Sequence, residues 1–168
     1  MTVLVSDTSV LVDLERGALL EACFVLQHDF AVPDLLYRRE LEPFNGPQLL
    51  AMGLQVVELT SDEVIAAQAV RAERIRLSLP DAFAYTLAST RDWELLSGDG
   101  EMRALAKATN VQYHGVLWVC DRIHDAHIIK GEALATSLEA IAGHARCRLP
   151  KAEIAACLAR YRVAPQKD

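Results

Sequence analysis

The chain has 168 residues, of which 52% are hydrophobic and 24% charged, and its formal net charge is −6. This length suits one domain, and the apolar content is far above that of a disordered chain. The sequence contains no run of eighteen apolar residues, and its N-terminus lacks the basic start of a signal peptide. We therefore expect a soluble, cytoplasmic protein with no membrane-spanning helix, although a negative charge is unusual for a nucleic-acid binder.

Apolar strand-like runs and helical patterns alternate through residue 115. In chain order, the predicted elements are a strand at 2–6, helices at 9–17 and 18–27, a strand at 30–33, helices at 34–44 and 47–53, a strand at 54–59, helices at 61–74 and 79–92, a strand at 93–97, a turn and helix at 98–110, and a strand at 111–115. Continuous apolar runs are typical of buried parallel strands. The alternation predicts an α/β fold with a central parallel sheet and helices around it.

The remainder of the chain is predicted to be helical. Helices are expected at 116–123, 131–144 and 150–162, and the tail at 163–168 is expected to fray. The sequence has no internal repeat and no Pro/Gly-rich linker. We therefore expect a single domain over residues 1–168, with 116–168 as its helical C-terminal part.

Four acidic residues occupy positions where a site can form. Asp7 follows the first strand and Asp99 follows the fourth. In open parallel sheets, ligands bind in the crevice beyond the carboxyl ends of the strands, so these two aspartates are expected to lie close together. Asp81 is in the first turn of the helix at 79–92, and Glu40 is in the helix at 34–44.

Several carboxylates brought within about 4–6 Å repel one another and raise each other's pKa values. A hard divalent cation such as Mg²⁺ or Mn²⁺ offsets that repulsion, because such cations take oxygen ligands. Two such ions can clamp a phosphodiester during hydrolysis. The four acids therefore favour a metal-dependent site.

Each carboxylate also has a purely structural interpretation. Asp7 can cap the first helix, and Asp81 stands three residues after Ser78, which is capping-box spacing. Asp99 before Gly100 is an ordinary turn signal, and Glu40 can lie on a solvated helix face.

Read with its flanks, the acidic quartet resembles the PIN-domain family. The matching segments are VSDTSVLVDL with Asp7, YRREL with Glu40, LPDAFAYTLA with Asp81 and LLSGDGEMRALA with Asp99, and their order and separations match the family pattern through about residue 120. The resemblance implies a three-layer α/β/α fold with a central parallel sheet, to which the C-terminal helices are an addition. It also implies an endoribonuclease that depends on Mg²⁺ or Mn²⁺.

The resemblance assigns roles to individual residues. It implies that Asp7, Asp81 and Asp99 hold metal and that Glu40 completes the catalytic set and helps to orient the attacking water. Ser9 and Ser97 are small hydroxyls beside Asp7 and Asp99, and they are expected to orient these carboxylates. Both serines can equally serve as cap or turn residues.

Many bacterial members of the family are toxins of VapBC-type toxin–antitoxin pairs. The resemblance therefore implies an RNA substrate, a separate antitoxin protein and a homodimer. Six arginines are candidates for contacting RNA phosphate: Arg38, Arg39, Arg71, Arg74, Arg76 and Arg103. A solvated helix face is the alternative interpretation of these arginines.

Two other functions compete with this one. A HAD-type phosphatase also places an aspartate after its first strand, but it needs a second acid where this chain has Ser9. A noncatalytic PIN-like module for binding or assembly would be favoured by the loss of an acidic residue, whereas all four are present.

Overall fold

The computed structural model describes residues 2–163, and contacts within the chain divide it into two compact units. Among the described residues, the first unit covers 2–11 and 27–115, and the second covers 12–26 and 116–163. The prediction that the whole chain forms one domain stays a prediction. The expected fraying of the tail falls mainly on residues 164–168, which lie outside the described residues.

The first unit is built on a five-stranded sheet. Its strands are β1 (Thr2–Ser6), β2 (His28–Pro33), β3 (Gln55–Val57), β4 (Glu94–Leu96) and β5 (Tyr113–His114). They lie in the order β3-β2-β1-β4-β5, and every neighbouring pair is parallel. The predicted parallel sheet is therefore confirmed, and β1 at its centre contributes the fully buried Leu4 and Val5 to the core.

The helices follow the predicted alternation closely. In chain order they are α1 (Thr8–Arg16), α2 (Leu20–Val25), α3 (Asp34–Leu36), α4 (Gly46–Met52), α5 (Ser61–Glu73), α6 (Leu79–Arg91), α7 (Gly100–Ala108), α8 (Val116–Asp125), α9 (Gly131–Ala142) and α10 (Lys151–Tyr161). The α/β fold class is thus confirmed, as are the predicted helices after Gly115. No helix among residues 2–163 combines the length and apolar character needed to cross a membrane.

Helix α6 forms the central packing layer on the sheet. It contacts β1, β2 and β4, and it also packs against α5. Residues 82–88 of α6 are all buried, and the alanines among them allow the helix backbone to approach its neighbours closely. Arg91 at the end of α6 forms an ion pair of 2.9 Å with Glu63 of α5, which fixes one helix against the other.

The structure differs from the prediction after Asp34. The expected α-helix at 34–44 is a single turn, α3, that continues as a π-helical segment over Tyr37–Leu41. Its widened turn is closed by the Glu42 amide, which donates to the Tyr37 carbonyl five residues earlier at 2.8 Å. Such π turns occur mostly as local bulges and are frequent at functional sites. Side-chain periodicity does not distinguish this turn from an α-helical one, so the sequence predicted an α-helix.

Strand boundaries also differ. Strand β2 begins at His28, two residues before the predicted start, whereas β3 and β4 are shorter than the runs predicted at 54–59 and 93–97. Apolar runs mark buried backbone, but only pairing with a neighbouring strand decides how much of the run is counted as a strand.

The second unit is a helical cluster. Helices α8, α9 and α10 contact one another, and α2 packs on α8. Its interior contains apolar side chains from three helices, including Leu134, Ile123 and Tyr161. The buried Tyr161 donates its hydroxyl to Asp121 at 2.6 Å, which satisfies the only polar atom of that ring.

Candidate active site

The candidate site begins where β1 and β4 end side by side. The chain first builds β1, β2 and β3 outward in one direction and then returns to place β4 on the other side of β1. This reversal of strand order opens a crevice at the carboxyl ends of the two central strands. Ser6 and Leu96 are paired in the sheet, and the Asp7 amide donates to the Leu96 carbonyl at 2.9 Å. Asp7 therefore lies directly beside the chain segment that carries Asp99.

Asp7 is held by donors at both carboxylate oxygens. Its Oδ1 accepts hydrogen bonds from the Ser9 hydroxyl at 2.7 Å and from the Val10 amide at 3.2 Å. Its Oδ2 accepts a hydrogen bond from the Ser97 hydroxyl. The hydrogen bond from the Val10 amide caps the first turn of α1. The Asp7 side chain is therefore a helix cap as well as a candidate member of the acidic site.

The environment of Asp7 opposes its ionisation. Only 2% of the residue is exposed. Burial raises the pKa of Asp7 to about 6, while the hydrogen bonds from Ser97 and Ser9 pull it down and the negative charge of Asp81 pushes it up. Ionisation of Asp7 is thus less favourable in the folded chain than in an exposed aspartate.

Asp99 begins the helix that follows β4. Its Oδ1 accepts a hydrogen bond from the Met102 amide at 3.0 Å, which makes Asp99 the N-terminal cap of α7. The Asp99 amide in turn donates to the Ser97 hydroxyl at 3.1 Å. Ser97 therefore joins the two aspartates, because its single oxygen donates to Asp7 and accepts from Asp99.

Ser9 makes a second connection between the same two strand ends. Its hydroxyl accepts a hydrogen bond from the Gly98 amide at 3.2 Å. A Cβ atom at position 98 would lie 3.3 Å from the Ser9 oxygen, so glycine permits this close approach. Both serine hydroxyls therefore bond to the Asp7 carboxylate, whereas Ser97 contacts Asp99 through the Asp99 amide and not through its carboxylate.

Asp81 lies in the first turn of α6, as predicted. The Ser78 hydroxyl caps this helix by accepting a hydrogen bond from the Asp81 amide at 3.1 Å. Burial raises the pKa of Asp81, hydrogen bonding to Ser78 lowers it, and the charge of Asp99 raises it again. Ser78 is therefore the helix cap that the structural interpretation predicted, and the charge of Asp99 acts on the Asp81 carboxylate.

Glu40 is carried by the π-helical segment and is held by a residue that the sequence reasoning missed. The Thr8 hydroxyl donates to Glu40 Oε2 at 2.9 Å across a sequence separation of 32 residues. Burial raises the pKa of Glu40, and the charge of Asp81 adds to this effect while Thr8 opposes it. The only hint in the sequence was a hydroxyl residue directly after Asp7.

Asp81 is the shared neighbour of the other three acids. Its charge acts on Asp7 and on Glu40, and Asp81 is itself affected by Asp99. Each of the other three predicted carboxylates therefore lies within electrostatic range of Asp81, and all four belong to one unit of the fold.

The described part of the chain, residues 2–163, contains no group of three or more acidic, histidine or cysteine side chains close enough to hold a metal ion in its present geometry. The donor chemistry nevertheless fits a hard divalent cation, because every member of the set is a carboxylate and three have raised pKa values. Like-charged carboxylates repel one another, and a divalent cation offsets that repulsion.

Solved structures with a similar fold include a PilT N-terminus domain protein from the hyperthermophilic archaeon Sulfolobus solfataricus. It shares 12% sequence identity, covers 76% of this chain and 97% of its own, and superposes with a TM-score of 0.53. A toxin–antitoxin complex from Klebsiella pneumoniae matches at 22% identity over 60% of this chain and 89% of its own, with a TM-score of 0.40.

No curated protein matches the sequence of this chain. A family model does match, and it covers residues 3–162, which is nearly the whole chain. That model is described as DUF3368, a PIN domain, and the chain therefore belongs to the PIN-domain family.

Proposed function

We propose that this protein is a metal-dependent endoribonuclease that hydrolyses phosphodiester bonds of RNA, with Mg²⁺ or Mn²⁺ as its cofactor. PIN domains are generally nucleases, which supports a hydrolase. The observation that carries the proposal is the connection of Asp7 to the Asp99 segment through Ser97 at the ends of β1 and β4, with Asp81 acting electrostatically on Asp7 and Glu40.

In this proposal, Asp7, Asp81 and Asp99 hold the metal. A bound divalent cation would offset the repulsion among the carboxylates and supply positive charge to the oxygens of the scissile phosphate. Ser97 and Ser9 orient Asp7 through their hydrogen bonds, so that the carboxylate is in place before the metal arrives.

Glu40 acts on the attacking water. Its Oε2 is occupied by the hydroxyl of Thr8, which leaves Oε1 to accept a proton from water. The water oxygen would then form a bond to phosphorus, the bond from phosphorus to the departing ribose oxygen would break, and that oxygen would take up a proton from bulk water. Glu40 is half-buried, and the hydrogen bond from Thr8 restricts the orientation of its carboxylate.

The proposal is tested by incubating a mixed single-stranded RNA with the purified protein in Mg²⁺, Mn²⁺ or EDTA. We expect cleavage in either metal, no cleavage in EDTA, and a loss of more than about 100-fold in Asp7→Asn and Asp99→Asn, as is usual when a charge-stabilising group is removed. Asp62→Asn is the matched control, because Asp62 is an exposed aspartate in the first turn of α5.

Two outcomes would contradict the nuclease proposal. Cleavage that persists in both site variants would place the activity elsewhere. Metal binding without cleavage of any RNA would instead favour a noncatalytic PIN-like module used for binding or assembly. Membership of the PIN-domain family argues against the HAD-type phosphatase.

We further propose that the protein is the toxin of a toxin–antitoxin pair, acts in the cytoplasm as a homodimer, and is inhibited by a separate antitoxin protein. This refinement is supported by the resemblance of the four motifs to VapC-type toxins. We expect induced expression to arrest bacterial growth for the wild type and not for Asp7→Asn at equal protein level. Growth without arrest in both strains would argue against the toxin. Light scattering on the purified chain tests the dimer.

A further inference from the structure

A pair of arginines faces one glutamate beside the carboxylate site. Arg74 and Arg76 belong to the loop between α5 and α6, and their guanidinium groups lie 3.6 Å and 3.9 Å from the carboxylate of Glu101 in α7. The Arg76 side chain is 82% exposed. Ion pairs this long and this exposed contribute little to stability, so Glu101 does not hold the two arginines tightly.

These residues surround an open cleft of about 420 Å³, which is lined by Glu73, Arg74, Ile75, Arg76 and Glu101. The residues that line the cleft are close in sequence to two of the acids. The loop leads into the first turn of α6, which carries Asp81, and Glu101 follows Asp99 by two residues. The segments that carry Asp81 and Asp99 therefore also carry the residues that line the cleft.

A nucleic acid that approaches four carboxylates needs a compensating positive surface, and the net charge of −6 shows that the chain as a whole does not provide one. Arginine suits this task because its planar guanidinium binds phosphate oxygens with two parallel hydrogen bonds. The Glu101 carboxylate lies between the two arginines, where a phosphate group of the substrate could replace it.

We infer that this cleft binds the phosphodiester backbone of the substrate strand next to the scissile bond, with Arg74 and Arg76 exchanging Glu101 for a phosphate group. The inference rests on the proposed function and adds a substrate-binding subsite to it. The exposed Ile75 between the two arginines offers an apolar contact for a base or sugar.

Two of the other predicted phosphate contacts have different surroundings. Arg38 lies 3.6 Å from Asp34 across one helical turn. Arg103 lies over the ring of Tyr113, with 5.2 Å between the guanidinium carbon and the ring centroid. Neither lines the cleft, whereas Arg74 and Arg76 converge on it.

The test measures binding of a fluorescein-labelled single-stranded RNA by anisotropy in EDTA, where no cleavage is expected. We expect Arg76→Ala to weaken binding by about tenfold and Arg74→Ala/Arg76→Ala to weaken it further. The slope of log affinity against log salt should fall by about 0.7 for each phosphate that a variant no longer binds. Arg76→Lys should keep the slope because it keeps the charge.

Lys107→Ala is the matched control, because Lys107 is an exposed cation at the far end of α7 and its loss changes the net charge equally. The Glu101→Gln variant should bind RNA about threefold more tightly, since it frees both arginines. Glu58→Gln, which removes an exposed carboxylate outside the cleft, should leave binding unchanged. If Arg76→Ala matches Lys107→Ala and Glu101→Gln matches Glu58→Gln, the inference is wrong.

Binding of a single-stranded DNA of the same length shows whether the cleft recognises the phosphate, which DNA shares with RNA, or the ribose, which DNA lacks. Equal losses for RNA and DNA in Arg76→Ala support a backbone contact, whereas a loss for RNA alone would overturn the phosphate assignment. Cleavage assays on the same variants keep the two proposals distinguishable. If the protein cleaves RNA in a metal-dependent way and Arg76→Ala binds RNA as the wild type does, only the assignment of phosphate binding to the cleft is wrong. If Arg76→Ala weakens RNA binding but no form of the protein cleaves RNA, only the proposed ribonuclease activity is wrong.

Discussion

The hydroxyl of Ser97 donates a hydrogen bond to Oδ2 of Asp7, although 90 residues separate them in the sequence. The same oxygen accepts the amide proton of Asp99 at 3.1 Å. One buried hydroxyl thus connects the Asp7 carboxylate to the backbone at Asp99, across the ends of the two central strands. The orientation of the Asp7 carboxylate depends on this hydrogen bond.

Removal of the Ser97 hydroxyl is expected to impair cleavage without unfolding the chain. Ser97→Ala should lower the rate by about 10- to 100-fold, which is the usual effect of losing a partner that orients a metal ligand. Ser97→Thr should retain most of the rate because it keeps the donor. Single-turnover cleavage measures the effect, and Ser89→Ala on α6 is a control that removes a hydroxyl outside the site. Equal rates for Ser97→Ala and Ser89→Ala would contradict the proposed role.

Thr8 is expected to position Glu40. Thr8→Val keeps the shape of the side chain but removes the hydroxyl that donates to Glu40 Oε2. Without this hydrogen bond, the Glu40 carboxylate can rotate away from the water whose proton it is proposed to accept. We expect kcat to fall by about 10-fold or more while KM changes little, as for an interaction that matters mainly in the transition state. Thr8→Ser should restore the rate. If Thr8→Val and Thr8→Ser behave alike, the hydroxyl has no such function.

The metal-free protein is expected to gain stability when Asp7 loses its charge. The folded pKa of about 6 lies above the ordinary value of 3.8, so the native state binds more protons than the unfolded state between these values. The stability of the wild type therefore falls as pH rises from about 4 to 6, and the full penalty of about 3 kcal/mol is present above pH 6.

Asp7→Asn removes that penalty. In EDTA at pH 7.5 the variant should unfold at a higher urea concentration than the wild type, and added Mg²⁺ should stabilise the wild type more than the variant. Urea unfolding with and without metal measures both effects. A variant less stable than the wild type in EDTA would show that the hydrogen bonds to the Asp7 carboxylate outweigh the cost of burying its charge.

The Glu63–Arg91 pair is expected to make folding sensitive to acid. Hydrogen bonding to Arg91 holds the pKa of Glu63 at about 2, below the ordinary 4.5. The resulting stabilisation is fully present above pH 4.5 and is lost as pH falls towards 2. Glu63→Gln should therefore flatten the pH dependence of the unfolding free energy between pH 5 and 3. Glu58→Gln is the control, and an unchanged slope in Glu63→Gln would refute the assignment.

The sequence was sufficient to predict the sheet, because its buried strands are continuous apolar runs ended by polar residues such as Asp7 and Ser97. It also located the four acids, since Asp7 and Asp99 follow strands and Asp81 follows a helix cap. The expectation that Asp7 and Asp99 lie close together came from a general rule of sheet topology, because no residue in β1 specifies β4 as its neighbour.

Other features were beyond sequence reasoning for physical reasons. The π-helical turn that carries Glu40 differs from an α-helical turn in its hydrogen bonds and not in its composition. The Thr8–Glu40 contact depends on that turn, so it could not be predicted either. Arg74, Arg76 and Glu101 were separate charges in the sequence, and only packing of the α5–α6 loop beside α7 brought them together.

The capping role of Asp99 bears on how this family would diverge. Asp99 caps α7, so selection for folding alone would preserve it in a descendant that had stopped cleaving RNA. The buried charge of Asp7 opposes folding, and Glu40 lies within the π-helical segment and caps no helix. Among related chains, the replacement of Asp7 or Glu40 would therefore indicate lost activity more strongly than the persistence of Asp99 would indicate retained activity.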